Sequence, residues 1–172
     1  MTLQKKNTNE ILYKLDHDDD YDDILLIAIK SNMPDYKMAF HLNKTLKVHF
    51  QKLQQEISLT TENGINYFRN FKFRDHKNHL IWRLIENKSN YSISNLEKGG
   101  FLFNGESDLF SSTEFLISEW KSIDFFLQIE NIDDCFDSND ILKKLEEINN
   151  ISTQFIVDME SLSTKSQKNL IF

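Results

Sequence analysis

Residues that dictate a turn are scarce in this chain: it holds one proline and four glycines among 172 residues, so few positions are pre-set for tight or left-handed backbone. Cysteine is scarcer still. Cys135 is the only one, which excludes an internal disulfide, and no charged-then-apolar leader opens MTLQKKNTNE, so a reducing cytoplasm is the expectation. Long apolar runs are missing as well. The longest, Ile24 to Ile29, falls far short of the ~20 residues that a membrane-spanning helix needs. Nor is there a G-x-S-x-G, a Walker loop or a dinucleotide glycine pattern, and GGFLFNGES lacks the Lys-Ser/Thr that holds phosphate and magnesium.

What the chain does have is core material. Apolar residues make up 40% and aromatics 12%, with 14 Phe, too much for a disordered protein. A globule of this length buries roughly 70% of its unfolded surface, so a core needs neither disulfide nor metal. A single domain over 1–172 is expected, with 1–10 frayed, a long loop at 88–112 and a tail at 160–172. Net charge is −7 with a sequence pI near 5.2, but the charge is polarised. Residues 37–88 carry a net +6 and residues 106–147 a net −9. Such asymmetry can steer a charged partner, although mutual neutralisation within the fold is the plainer expectation.

Periodicity supplies the elements. Ile11 to Leu15 reads as a short edge strand and Ile24 to Lys30 as a central strand, apolar on both faces. Pro34 and Asp35 suit the first turn of a helix, and Tyr36, Ala39, Phe40, Leu42 and Leu46 recur along it at three- and four-residue spacing. Val48 to Leu53 reads as a strand, followed by a polar connection to Gly64. Residues 65–74 alternate as one strand, with Ile65, Tyr67, Phe71 and Phe73 on one face. A turn at Asp75–Asn78 then leads to a partner strand from Leu80 to Ile85. Beyond the long loop, with a short strand near Phe101–Phe103, comes the best-patterned stretch. Ile123, Phe125, Leu127 and Ile129 form one buried face of a strand, and Ile117 to Ser122 reads as a bend before it. Ser138 is the expected cap of a second helix with Ile141, Leu142, Leu145 and Ile148 buried, and Asp140 and Lys144 are spaced for an i,i+4 pair. A strand over Ile151–Met159 follows. Strand–helix–strand thus occurs twice, around a hairpin. This predicts α+β, a largely antiparallel sheet with two helices on one face, in ferredoxin-like split βαβ order with hairpin strands inserted.

Chemistry is harder to find. Asp16, Asp18 and Asp20 have the 1, 3, 5 spacing of a calcium loop, but Tyr21 stands where glycine is needed and Ile27 where the bidentate glutamate belongs. His76-x-x-His79 straddles a turn without a cysteine partner. Glu119 and Asp124 tempt as acid and base, yet their spacing points them apart on a strand or a helix unless the chain bends between them. No catalytic residue, metal or cofactor is expected. Basic residues Arg69, Lys72, Arg74, Lys77 and Arg83 mix with aromatics, but only Phe68 shares the basic face, so nucleic acid is disfavoured as a partner.

One segment carries a resemblance. Ile117 to Phe125, ISEWKSIDF, resembles the signature of the bacterial IPExxxVDY family, with Ser118, Ile123 and Phe125 replacing Pro, Val and Tyr, and Glu119 and Asp124 matching outright. Asp35–Ala39 with Leu42–Lys44, and Lys165–Phe172, are similar as well. The resemblance implies a match over the whole domain and brings no activity, cofactor or catalytic residue with it. A non-enzymatic cytoplasmic adaptor or regulatory protein acting through protein contacts is the leading expectation. Its expected surface is Glu119, Trp120 and Asp124, the 88–112 loop, and the apolar end Leu170, Ile171 and Phe172. The alternatives are a small-ligand regulatory module, compatible with a homodimer through sheet edges, and an RNA-associated accessory protein.

Overall fold

A computed structural model describes residues 23–62, 64–89, 92–93 and 113–171. In chain order these form β1 (Ile24–Ser31), α1 (Asp35–Leu46), β2 (Gln51–Lys52), β3 (Ile57–Thr61), β4 (Gly64–Phe68), β5 (Asn70–Asp75), β6 (Leu80–Glu86), β7 (Ser92–Ile93), β8 (Phe125–Glu130), α2 (Ser138–Glu146), β9 (Ile151–Val157) and α3 (Thr164–Lys168). The expected segments at 11–15, Asp16–Asp20 and Phe101–Phe103 lie outside the described residues.

The mixed α+β architecture centres on β1, whose apolar residues alternate between two buried faces. Its edges are occupied too. Ile27 lies opposite Leu127 of β8 on one side and Ile156 of β9 on the other, both antiparallel. The six-stranded sheet runs β2-β5-β6-β8-β1-β9, antiparallel at every step. Hence β8 and β9 are parallel to each other, joined through α2 and split by β1. Likewise β1 and β2 are joined through α1 and separated by three strands. This is the split βαβ order twice over, with the β5–β6 hairpin inserted between β8 and β2.

Each sheet face has its own core. On the helix side, Leu25, Ile27 and Ile29 meet Phe125, Leu127 and Ile129, covered by Met38 and Leu42 of α1 and Ile141 and Leu145 of α2. On the other, Leu26, Ala28, Ile85 and Phe126 are covered by Phe68, Leu116, Ile117, Leu162 and Leu170. A second sheet of order β3-β4-β7 lies on this side. Burying each Leu, Ile or Phe contributes roughly 1.5–3 kcal/mol, so both faces matter. The two charge regions meet directly, through Arg83 with Glu130 at 2.5 Å and Lys88 with Asp124 at 2.5 Å.

Several local expectations are corrected. The alternation over 65–74 is two strands in two sheets, breaking at Arg69. In β4 the expected faces are inverted, with Asn66 and Phe68 buried and Ile65 and Tyr67 half-buried, whereas in β5 Phe71 is buried and Phe73 packs against the same core, as expected. The connection after Leu53 holds β3, and the strand expected at Val48–Leu53 is only Gln51–Lys52. In α1, Asp35, Met38, Ala39 and Leu42 form the buried row, leaving Tyr36 and Phe40 outside. Pro34 stands at the cap position rather than within the first turn. Helix α2 is capped by Asp137, whose side chain accepts from the Asp140 N–H at 3.0 Å, and not by Ser138. The Asp140–Lys144 pair forms as spaced, at 2.6 Å. β8 begins at Phe125, β9 ends at Val157, and the tail contains α3.

Candidate functional site

The bend before β8 is built around a residue outside it. Asn87, just past the end of β6, is fully buried. Its amide nitrogen donates to the carbonyls of Trp120 at 2.9 Å and Ile123 at 3.0 Å, and its side-chain oxygen accepts from the Ile117 N–H at 2.9 Å. Its backbone N–H donates to the Asp124 carbonyl, and its own carbonyl accepts from Leu116 N–H. One asparagine thus satisfies the polar groups of a non-repeating loop that no ladder could serve. Within that loop Ser118–Trp120 makes a single 3-10 turn, with Ile117 and Ile123 pointing into the core.

The two acids of the bend diverge. Glu119 reaches towards the chain's end, accepting from Ser163 N–H at 3.2 Å and Ser166 Oγ at 2.6 Å. Partial burial alone pushes its carboxyl up, but the hydrogen bonds from Ser163 and Ser166 outweigh this and lower it to about 2. Asp124 turns to the end of β1, accepting from Ser31 N–H at 3.0 Å and pairing with Lys30 and Lys88. Burial opposes its charge, and the two lysines and the backbone N–H overcome it, so its carboxyl is held below the ordinary aspartate value. A polar hollow beside Asp124 is lined by Lys30, Ser31, Lys88 and Asn150, and Glu119 does not line it. The acids do not meet as a pair. Both are held ionised, whereas proton transfer near neutral pH favours a group whose pKa lies close to it.

The remaining expected surface residues fall in different settings. Trp120 is half-buried, its ring 5.0 Å from that of Phe155. Leu170 is buried and its carbonyl accepts from Gln128 Nε2 at 3.1 Å, so it belongs to the core rather than to a contact surface. Ile171 is exposed, and Phe172 lies outside the described residues. Among the described residues no three His, Cys, Asp or Glu side chains gather as a metal site, and no helix is long and apolar enough to cross a membrane. In the basic hairpin Phe68 is buried, Arg83 is turned onto Glu130, and Arg69 lies 3.4 Å from Asp35.

Two features went unforeseen. Tyr36 and Phe40 are 62% and 64% exposed on the outer face of α1, beside the exposed Lys37 and Lys44. The helical wheel offered the clue, because Met38–Leu42 and Tyr36–Phe40 are rival i,i+4 rows and only one can face the sheet. The second is a cleft of about 490 Å³ between the two sheets and α3, lined by Leu53, Ile57, Asn70, Arg83, Lys168 and Asn169 among others. It joins residues too distant in sequence for spacing to reveal. No family model, curated protein or solved structure matches this chain.

Proposed function

We propose that this chain is a non-enzymatic adaptor or regulatory protein of the cytoplasm that works through protein–protein contacts, with the outer face of α1 as its docking surface. The observation that carries the reading is the solvent-facing pair Tyr36 and Phe40. Exposed aromatics set one helical turn apart are anchors of the kind that dominate contact energies. The adjacent exposed Lys37 and Lys44 favour a partner whose apolar patch is ringed by carboxylates. The lone, exposed Cys135 supports a reducing compartment.

Kinship with the IPExxxVDY family belongs to the same proposal. Its support is that Ile117, Glu119, Ile123 and Asp124 each hold the bend or fasten it to a neighbour. Placing a photo-crosslinking phenylalanine analogue at position 40 tests the docking surface. The expected product is a crosslink to an acidic protein segment, lost in a Tyr36→Ser, Lys44→Glu background. Crosslinking to nucleic acid, or to nothing in native cytoplasm, overturns the reading.

A second reading, a small-ligand module, rests on the cleft holding Arg83 and Lys168, whose size falls within the range of ligand pockets. A metabolite that raises the melting temperature of the wild type but not of Lys168→Glu supports it. A panel with no such shift removes it.

A further inference from the structure

The two edges of the six-stranded sheet are unlike. One ends in β2, two residues long with Lys52 in it, and with Lys47 and His49 shortly before it. Short length and lysine are how sheets keep an edge from recruiting another chain. The other edge is β9, Ile-Ser-Thr-Gln-Phe-Ile-Val, seven residues with neither charge nor proline nor glycine. Uncharged sequence runs without interruption from Asn149 to Val157, in a chain of which 27% is charged. β9 pairs only with β1 among the described residues, and no described strand lies on its outer edge. Ser152, Thr153 and Ile156 are exposed, the last at 41%. By composition it is a good strand, rich in β-branched residues, and it lacks the usual edge guards.

We infer that β9 is a dimerisation edge, and that its occupant is β9 of a second copy, added antiparallel about a two-fold axis through Gln154. Symmetry and charge select this occupant. A two-fold pairing of identical strands is antiparallel and self-complementary, and about Gln154 it sets Ile156 opposite the partner's Ser152 and Phe155 opposite the partner's Thr153. No charged residue meets its like along the ladder. Just beyond it, Asp158 falls opposite the partner's Asn150 instead of another carboxylate. For a chain of net charge −7, an uncharged edge lets two copies approach at low electrostatic cost. The two six-stranded sheets then become one continuous sheet, with the outer face of each α1 left free for other contacts.

Sedimentation of the full chain across the micromolar range tests the association. The expected mass is twice 20.4 kDa, falling to the monomer in Ile156→Lys and in Thr153→Lys with an unchanged far-ultraviolet circular dichroism spectrum. Register is tested in a Cys135→Ser background. Gln154→Cys forms a disulfide-linked dimer on mild oxidation, because the two copies of residue 154 face each other, whereas Ser152→Cys does not. A monomeric wild type throughout overturns the inference. So does a dimer that both lysine variants leave intact.

Discussion

Asn87 holds the bend from outside it, because three of the bend's backbone groups bond to its amide. Replacing it with alanine leaves the buried Ile117 N–H and Ile123 carbonyl without this partner, while the Trp120 carbonyl keeps its bond from the Ile123 N–H, at a cost of about 2–4 kcal/mol. Asn87→Asp is expected to cost as much despite its matching shape, since a carboxylate cannot donate to Trp120 and Ile123. Urea unfolding at neutral pH checks both, and a near-neutral Asn87→Asp would contradict the role. Glu119 supplies a pH-dependent contribution. Its folded pKa of about 2 lies below the ordinary 4.5, so its stabilisation is fully present above about pH 4.5 and is lost as the pH falls towards 2. Ser166→Ala is expected to flatten the acid limb of the stability curve in that window, which acid titration of the melting temperature measures. Neither role was legible in advance. Glutamate at 119 could be singled out as a candidate, but its serine partners lie at 163 and 166, and nothing in the neighbourhood of Asn87 marks it as a clamp.

Helix α1 shows how an element can be recognised while its orientation is missed. Its twelve residues are helical as the spacing predicts, but two apolar rows compete for the sheet, and packing chose the flexible Met38 with Ala39 and Leu42 over the aromatics. Met38→Ala is therefore expected to cost about 2–5 kcal/mol, and Phe40→Ser almost nothing, a contrast that paired thermal melts reveal. Scarcity of glycine also matters here. Lys47 ends the helix in the left-handed region at φ 58°, and His79, Asn131 and Asn150 adopt similar values, all positions glycine would fill without strain. Lys47→Gly should stabilise the protein by about 0.5–1 kcal/mol. Strand β1 is readable because its run is apolar on both faces, whereas β8, which reads with one buried face, also buries Phe126 and Gln128 on the other. By contrast β4 and β5 read as one strand, because Ile65, Tyr67, Phe71 and Phe73 keep a common parity although Phe68 and Arg69 break the alternation where the chain passes from one sheet to the other.

At the scale of the molecule, β1 and β8 lie inside every layer, with strands on both edges and a core on each face. Their amides are expected to exchange with solvent only through global opening, while those of the smaller sheet and α3 exchange sooner. Equal protection throughout would contradict this two-core picture. The position of β1 also fixes a schedule. It is the first described strand to leave the ribosome, yet Ile27 waits for Leu127 and then for Ile156 before either flank is occupied. Until most of the chain has been made, an apolar ribbon with two bare edges stands without partners, and such long-range closure is slow and prone to wrong association. The same strand that anchors the finished protein makes its synthesis the most hazardous moment of its life, and a truncated chain ending before β9 is predicted to aggregate rather than fold.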